Sequence, residues 1–305
     1  MKTKAECFPC LLRQCIQVAR ISNCSEKNHF RLLQSVSELL ACLDETKSPP
    51  ANAGPIYSRI AQITGCDDPY FDKKKSSMKE ALNHLPDLRE EIRGSEGELA
   101  SAIRFAIAGN IIDFGAPRGF DIDTTLARSR TEDLAVDHTG ALIDTIESLS
   151  RGASVLYLAD NCGEIVYDSL LVENLFERGL DITVAVKEGP IINDALLEDG
   201  YAAGLNNFGR IITNGTRCPG TVLEECSREF LECFESADLV ISKGQGNFES
   251  LSQVEREIFF LLTIKCAVAG RHMAKLAGVA VEKLPGKGEM AAYFSRLPGS
   301  LEEES

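Results

Sequence analysis

The sequence lacks a basic excess: 32 Lys and Arg face 46 Asp and Glu, and the formal net charge is −14. With a pI near 4.9 and no basic tract, the surface as a whole repels phosphate backbones, which argues against binding bulk nucleic acid or an anionic membrane. Long apolar runs are also missing. The longest, Ile258 to Ile264, stops at Lys265, well short of the roughly 20 residues a transmembrane helix requires. The opening stretch from Met1 to Cys10 carries no apolar core of a secretory signal, and eleven cysteines cannot all pair, so a reducing cytoplasm is the expected setting. Several catalytic signatures are absent. His29, His84, His138 and His272 form no HExxH or other metal-spaced pair, which argues against a zinc peptidase. Gly286-Lys287 is not a P-loop, because Val281 stands where its first glycine is needed and Gly288 where Ser or Thr is needed. No GxSxG nucleophile elbow and no internal repeat occurs.

What is present is a chain of 305 residues, 44% of them hydrophobic, long enough for two domains at about 150 residues each. The two halves differ in texture. Up to about Arg151, apolar residues recur at helical spacing, as in Leu11, Leu12, Cys15, Ile16 and Ala19, or Leu32, Leu33, Val36, Leu39 and Leu40. Lys47-Ser48-Pro49-Pro50 separates helices, Ser95 with Glu98 reads as a capping box, and Gly109 to Gly115 forms a glycine-rich break. From Ala153 onward, short apolar runs alternate with helical stretches, the pattern of a parallel sheet with crossover helices. Strands are expected at Val155–Ala159, Ile182–Val186, Arg210–Thr213, Asp238–Ser242 and Ile258–Ile264. Helices are expected from Glu164 to Arg178 and after Thr221, with Glu224 completing a capping box. The fold class is therefore α/β, a Rossmann-like mostly parallel sheet over 152–305 behind an all-helical part over 1–151.

In an open α/β sheet the ligand lies beyond the carboxyl ends of the strands. Those ends carry Asp160-Asn161-Cys162-Gly163-Glu164, Lys187-Glu188-Gly189-Pro190 with Asn193-Asp194, Asn214-Gly215-Thr216, Lys243-Gly244-Gln245-Gly246-Asn247-Phe248-Glu249, and Lys265. Carboxylate and amide oxygens without histidine suit a hard divalent cation, with Asp160, Asn161 and Asp194 as the natural set. Lysines beside them offer point charges, and glycines let backbone N–H groups approach the same anion. Each residue also has a plainer account: Asp160, Asn193 or Asp194 could cap the helices that follow. Lys243 and Lys265 could be solvated lysines, although Lys265 follows an apolar run and is expected to start from a buried position. Cys7-Phe8-Pro9-Cys10 reads as two half-buried thiols at a helix start or as a redox-sensitive or metal-sharing pair with Cys15.

Cys7-x-x-Cys10, Gly109-Asn110-x-x-Asp113, Asp160-Asn161-x-Gly163-Glu164, Lys187-x-x-Pro190-x-x-Asn193-Asp194, Lys243-Gly244-Gln245-Gly246-Asn247-Phe248-Glu249 and Lys265-Cys266, in this order, resemble the damage-control phosphatases. That family was formerly called domain of unknown function 89, and the chain resembles its prokaryotic, CxxC-bearing subfamily. The resemblance implies a helical part joined to a Rossmann-like domain, and a phosphatase of sugar phosphates and other phosphometabolites that depends on a divalent metal, Mn²⁺, Ni²⁺, Co²⁺ or Mg²⁺. It implies that Asp160, Asn161 and Asp194 hold the metal and act in catalysis with Lys243. It places Asn110, Asp113, Glu164, Lys187, Asn247 and Lys265 on the substrate side. Asp160-Asn161-Cys162-Gly163-Glu164 does not follow the DxDx[TV] pattern of aspartyl-phosphate phosphatases, which favours water over Asp160 as the attacking group. Two alternatives remain at this level, a SAM-dependent carboxyl methyltransferase and a non-enzymatic metal- or metabolite-binding module.

Overall fold

The structure, a computed structural model, describes residues 1–22, 24–110 and 122–295. Asp113 lies outside the described residues. The chain opens with α1 (Cys7–Ile21), α2 (Glu26–Ala41) and α3 (Pro49–Thr64). Their apolar faces meet in one cluster, where Leu11, Cys15, Val18, Leu32, Val36, Ile56 and Ile60 are buried. The separator at 47–50 is a helix start: Ser48 Oγ accepts from Ala51 N at 3.4 Å, and two prolines fill the first helical positions, where no N–H is needed.

Next come α4 (Phe71–Arg93), α5 (Glu98–Gly109), α6 (Ile122–Thr131), β1 (Val136–Asp137) and α7 (Thr139–Ser148). Ser95 does not cap α5. Its hydroxyl donates to Ile92 O at 2.8 Å and so closes the end of α4, leaving Gly97 at the start of α5. The α/β part follows as β2 (Ser154–Leu158), α8 (Glu164–Glu177), β3 (Asp181–Val186), α9 (Leu197–Ala202), β4 (Arg210–Thr213), α10 (Arg228–Ser236), β5 (Leu239–Lys243), α11 (Gln245–Leu251), β6 (Ile258–Ile264), α12 (Ala267–Ala277) and β7 (Glu289–Ser295). All five expected strands form within a residue of their expected bounds. Thr221 caps nothing: its hydroxyl donates to Asn247 Oδ1 at 2.8 Å, and Ser227 caps α10 by accepting from Phe230 N at 3.2 Å.

The seven strands form one sheet in the order β1-β7-β6-β5-β2-β3-β4. Neighbours from β6 through β4 run parallel, and β7 runs antiparallel to β6. The chain steps from β2 outward to β3 and β4, then returns to the other side of β2 with β5 and β6. The strand order thus reverses between β2 and β5, where open α/β sheets place their ligands. The texture change at 151 does not part the packing. Met78, Leu85, Leu99, Ile103 and Ile107 of α4 and α5 share one apolar cluster with Val155, Tyr157, Ile165 and Leu171. Helix α8 is buried on every side from Glu164 to Leu175 because α4 and α5 cover the face turned from the sheet. No described helix is long and apolar enough to cross a membrane.

Candidate active site

The pairing of Leu158 with Ser242 sets the ends of β2 and β5 side by side, so Asp160 meets Gly244 two residues on. Gly244 is at φ +80°, and a Cβ there would lie 1.9 Å from Asp160 Oδ2. Only glycine accommodates both the left-handed backbone and the carboxylate against it. Asn161 and Asp194 form an isolated antiparallel bridge. It is reinforced by Cys162 N donating to Asn193 O at 2.9 Å and Ala195 N to Asp160 O at 2.8 Å. The loops after β2 and β3 are therefore tied to each other through their backbones, and neither Asp160 nor Asp194 caps a helix. Between them Ile192 adopts φ 46°, a conformation a β-branched residue takes only under constraint from its surroundings.

Behind Asp160 lies a buried polar layer. Asn161 Nδ2 donates to Asp160 Oδ2 at 2.9 Å and to Glu164 Oε2 at 2.8 Å. Asn110 Nδ2 reaches the same two oxygens at 3.1 and 2.7 Å, while its Oδ1 accepts from Thr263 N and Oγ1 at 3.1 and 2.7 Å. Lys243, fully buried, donates to Glu164 Oε1, to Asp168 Oδ1 at 2.6 Å and to Ala106 O at 2.7 Å. Asn247 Nδ2 donates to Lys243 O at 2.8 Å and Ala159 O at 3.3 Å, holding the ends of β5 and β2 together. Lys187 lies 3.6 Å from Asp194 Oδ2 and donates to Gly220 O.

In front of this layer opens a cleft of about 460 Å³. Its lining includes Asp160, Asn161, Asn193, Asp194 and Glu249, with Cys7, Cys10 and Gln14 of α1 opposite. Asn110, Glu164, Lys187, Lys243 and Asn247 are not part of the lining: Glu164 joins Asn110 to Lys243, Lys187 turns to Gly220 O and Asp194, and Asn247 turns to Thr221 and the ends of β2 and β5. Lys265 lines the cleft but is exposed, contrary to the expected burial, because β6 ends at Ile264 and the chain turns outward there. Cys7 is half-buried and Cys10 exposed at the start of α1; Cys266, not Cys15, shares the cleft with them, since Cys15 packs among the first three helices.

Comparison with known proteins bears on what this cleft belongs to. The model of the damage-control phosphatase ARMT1-like domain matches residues 3–279. The chain belongs to that family. A damage-control phosphatase of Pyrococcus horikoshii is 36% identical over 287 residues, spanning 92% of this chain and 97% of that protein. A damage-control phosphatase of Archaeoglobus fulgidus is 33% identical over 294 residues, 93% of this chain and 99% of the relative. A crystal structure of a DUF89 family protein from Pyrococcus horikoshii superposes with a TM-score of 0.85 at 32% identity, covering 97% of this chain and all of that one.

Within this damage-control phosphatase fold, the charges of the buried layer are unequal. Among the described residues Asp160, Glu164, Asp168 and Asp194 gather with Lys187 and Lys243 in a buried cluster, four carboxyls to two ammonium groups. Burial first, and then the Glu164 charge, push the Asp168 carboxyl up, against the pull of Lys243. Burial opposes the Lys243 ammonium, but Asp168 and Glu164 outweigh it and hold its pKa above the ordinary value. With three acceptors on its three N–H bonds, Lys243 stays charged, and Asp168 is the group that burial drives toward its protonated form. Asp168 escaped the sequence reading, although a signal existed: Glu164 and Asp168 stand one turn apart in the otherwise apolar run Ile165-Val166-Tyr167 and Leu170-Leu171. Tyr157 O–H completes the group by donating to Asp168 Oδ1 at 2.8 Å. The strain at Ile192 has no sequence signal.

Proposed function

We propose that this chain is a divalent-metal-dependent phosphatase acting on small phosphorylated metabolites such as sugar phosphates, in the damage-control role for which its relatives are named. The observation that carries the reading is the joining of Asp160, Asn161 and Asp194 by backbone pairing at the strand-order reversal, on the wall of a cleft of small-molecule size.

The residues fit a cation such as Mn²⁺, Ni²⁺, Co²⁺ or Mg²⁺. Among the described residues no three His, Cys, Asp or Glu side chains form a cage of their own, so the set is two carboxylates and an amide, the donors of a hard ion that keeps water or phosphate oxygens. Asn161 spends its N–H groups on Asp160 and Glu164, so its amide oxygen is directed away from those carboxylates. When bound, such an ion supplies Lewis-acid stabilisation of a phosphoryl oxygen.

The chain's own side chains have separate tasks. Asn110, Glu164 and Lys243 fix the position of Asp160 and Asn161 from behind, as positioning residues rather than phosphate contacts. Lys187 restrains Asp194, and Asn247 holds the two strand ends. Lys265, on the cleft and exposed, meets the phosphate as a point charge. Water is the attacking group, held in the cleft against the ester. The small ester is the phosphate this acidic molecule admits, because the favourable field is confined to the cleft. Calorimetric titration of Mn²⁺ into wild type, Asp160→Asn and Asp194→Asn tests the assignment. Single-site binding at least about tenfold weaker in both variants is expected, by the scale on which metal sites respond to altered ligation. Equal binding in all three would remove these residues from the metal.

A further inference from the structure

Glu249 is a cleft carboxyl to which the proposed cation set gives no task. It lies on α11, is 9% exposed, and lines the cavity with Asp160, Asn161 and Asp194. Its Oε1 accepts from Gln245 Nε2 at 2.7 Å, and Gln245 Oε1 accepts from Lys265 N at 2.7 Å. The fixed backbone N–H of Lys265 sets the Gln245 amide so that its nitrogen faces Glu249. With Oε1 engaged as an acceptor, the proton of a neutral Glu249 sits on Oε2. The other groups around it are the Met1 amino group, Cys7 and Cys10 from α1, and Cys266 at the start of α12. Burial pushes the Glu249 carboxyl up to about 7, against the Gln245 N–H and the Met1 ammonium, so it holds a proton near neutrality. Burial also pushes the three thiols up, which makes them weaker acids than Glu249.

We propose that Glu249 is the general acid of this cleft, protonating the leaving oxygen of phosphate esters whose alcohol is a poor leaving group. The proposal rests on the phosphatase reading above. An alkoxide is about as basic as hydroxide, with a conjugate acid near the 15.7 of bulk water, and departs readily only if protonated as it leaves. The oxygen of water forms the new bond to phosphorus, and the ester P–O bond breaks with its electron pair passing to the alcohol oxygen. That oxygen takes the proton from Glu249 Oε2, and the attacking water loses a proton to solvent, from which Glu249 is reprotonated. Inorganic phosphate and neutral alcohol result, with no oxidant or reductant.

Glu249→Gln keeps the side chain's shape but carries no acidic proton. The full chain is assayed with Mn²⁺ on a sugar phosphate and on p-nitrophenyl phosphate, whose phenolate leaves without protonation. The sugar phosphate kcat is expected to fall about 10²- to 10⁴-fold, the range of general acid catalysis, and the p-nitrophenyl phosphate kcat less than about tenfold. Glu249→Asp is expected to restore part of the sugar phosphate rate. Equal losses on both esters would mark a structural role, and an unchanged sugar phosphate rate would likewise overturn the proposal. If Glu249→Gln melts below the assay temperature, the wild-type pH profile decides. An alkaline limb near pH 7 on the sugar phosphate alone supports the acid, and identical profiles on both esters refute it. Wild type that releases phosphate from neither ester defeats the phosphatase reading itself, a result distinct from any of these.

Discussion

Gly244 and Asp160 show how single atoms set this site. A methyl group on Gly244 would lie 1.9 Å from Asp160 Oδ2 on a backbone at φ +80°. Gly244→Ala is therefore expected to cost about 1–3 kcal/mol for the strained backbone alone and to displace the carboxylate. Denaturant melts and metal-dependent phosphate release check the two effects together, and a variant normal in both would show that the loop yields freely. Glu249 adds a pH signature. Its folded pKa, about 7, lies above the 4.5 it has when unfolded, so the folded chain holds an extra proton between those values. Stability therefore falls as pH rises through that window, and the whole penalty is present above pH 7. At about 1.4 kcal/mol for each pH unit between the two values, it amounts to at most about 3 kcal/mol. Glu249→Gln should gain stability relative to wild type between pH 5 and pH 8, as read by thermal melts at each pH. A difference that does not change with pH would contradict the raised value. The sequence placed Asp160, Gly244 and Glu249 at strand ends, but neither the raised Glu249 carboxyl nor the left-handed Ile192 was legible there. The surroundings of Glu249 include α1, some 240 residues away in the chain, and Ile192 carries no residue-type signal for its φ of 46°.

Among the elements, α8 and the strands beside it were the most legible. Five short apolar runs are the five mutually parallel strands β6, β5, β2, β3 and β4, because buried parallel strands read as continuous hydrophobic stretches. β1 and β7 were not foreseen: the first is two residues long, and the second is built around Ala291 and Ala292 between glycine-bearing turns and the chain's last described residues. The strand ends bring the candidate residues together, but the sequence did not separate those that face the cleft from those behind it. Glu164 stands in the same short motif as Asp160, and Lys243 in the same one as the cleft residue Glu249, yet both are buried because α5 packs over α8 and supplies Asn110 and Ala106 O. Lys243→Met would leave Glu164 and Asp168 buried without their cation, and a loss of about 3–5 kcal/mol in denaturant unfolding is expected. A loss under about 1 kcal/mol would mean that the carboxyls are protonated or hydrated without it. That outcome would contradict the charged Lys243 described above.

For the whole molecule, the helical and α/β textures divide at 151, while the apolar packing joins α4 and α5 to the sheet. A fragment of residues 152–305 would expose the buried α8 face that α4 and α5 cover, and it is expected to lack cooperative unfolding and to bind hydrophobic dyes. A cooperative melt of the fragment would show that the α/β part stands alone. The net charge of −14 gains a local meaning at this scale. Part of the acidic excess sits beside the cleft, where, under the proposed function, a dication and Lys265 would make a place for one small anion. Phosphate release from a sugar phosphate, measured in wild type and Asp160→Asn with and without added Mn²⁺, tests the central claim most directly. Metal-dependent release by wild type and none above background by Asp160→Asn is the expected result. Release that ignores the metal, or that survives the substitution, would contradict it.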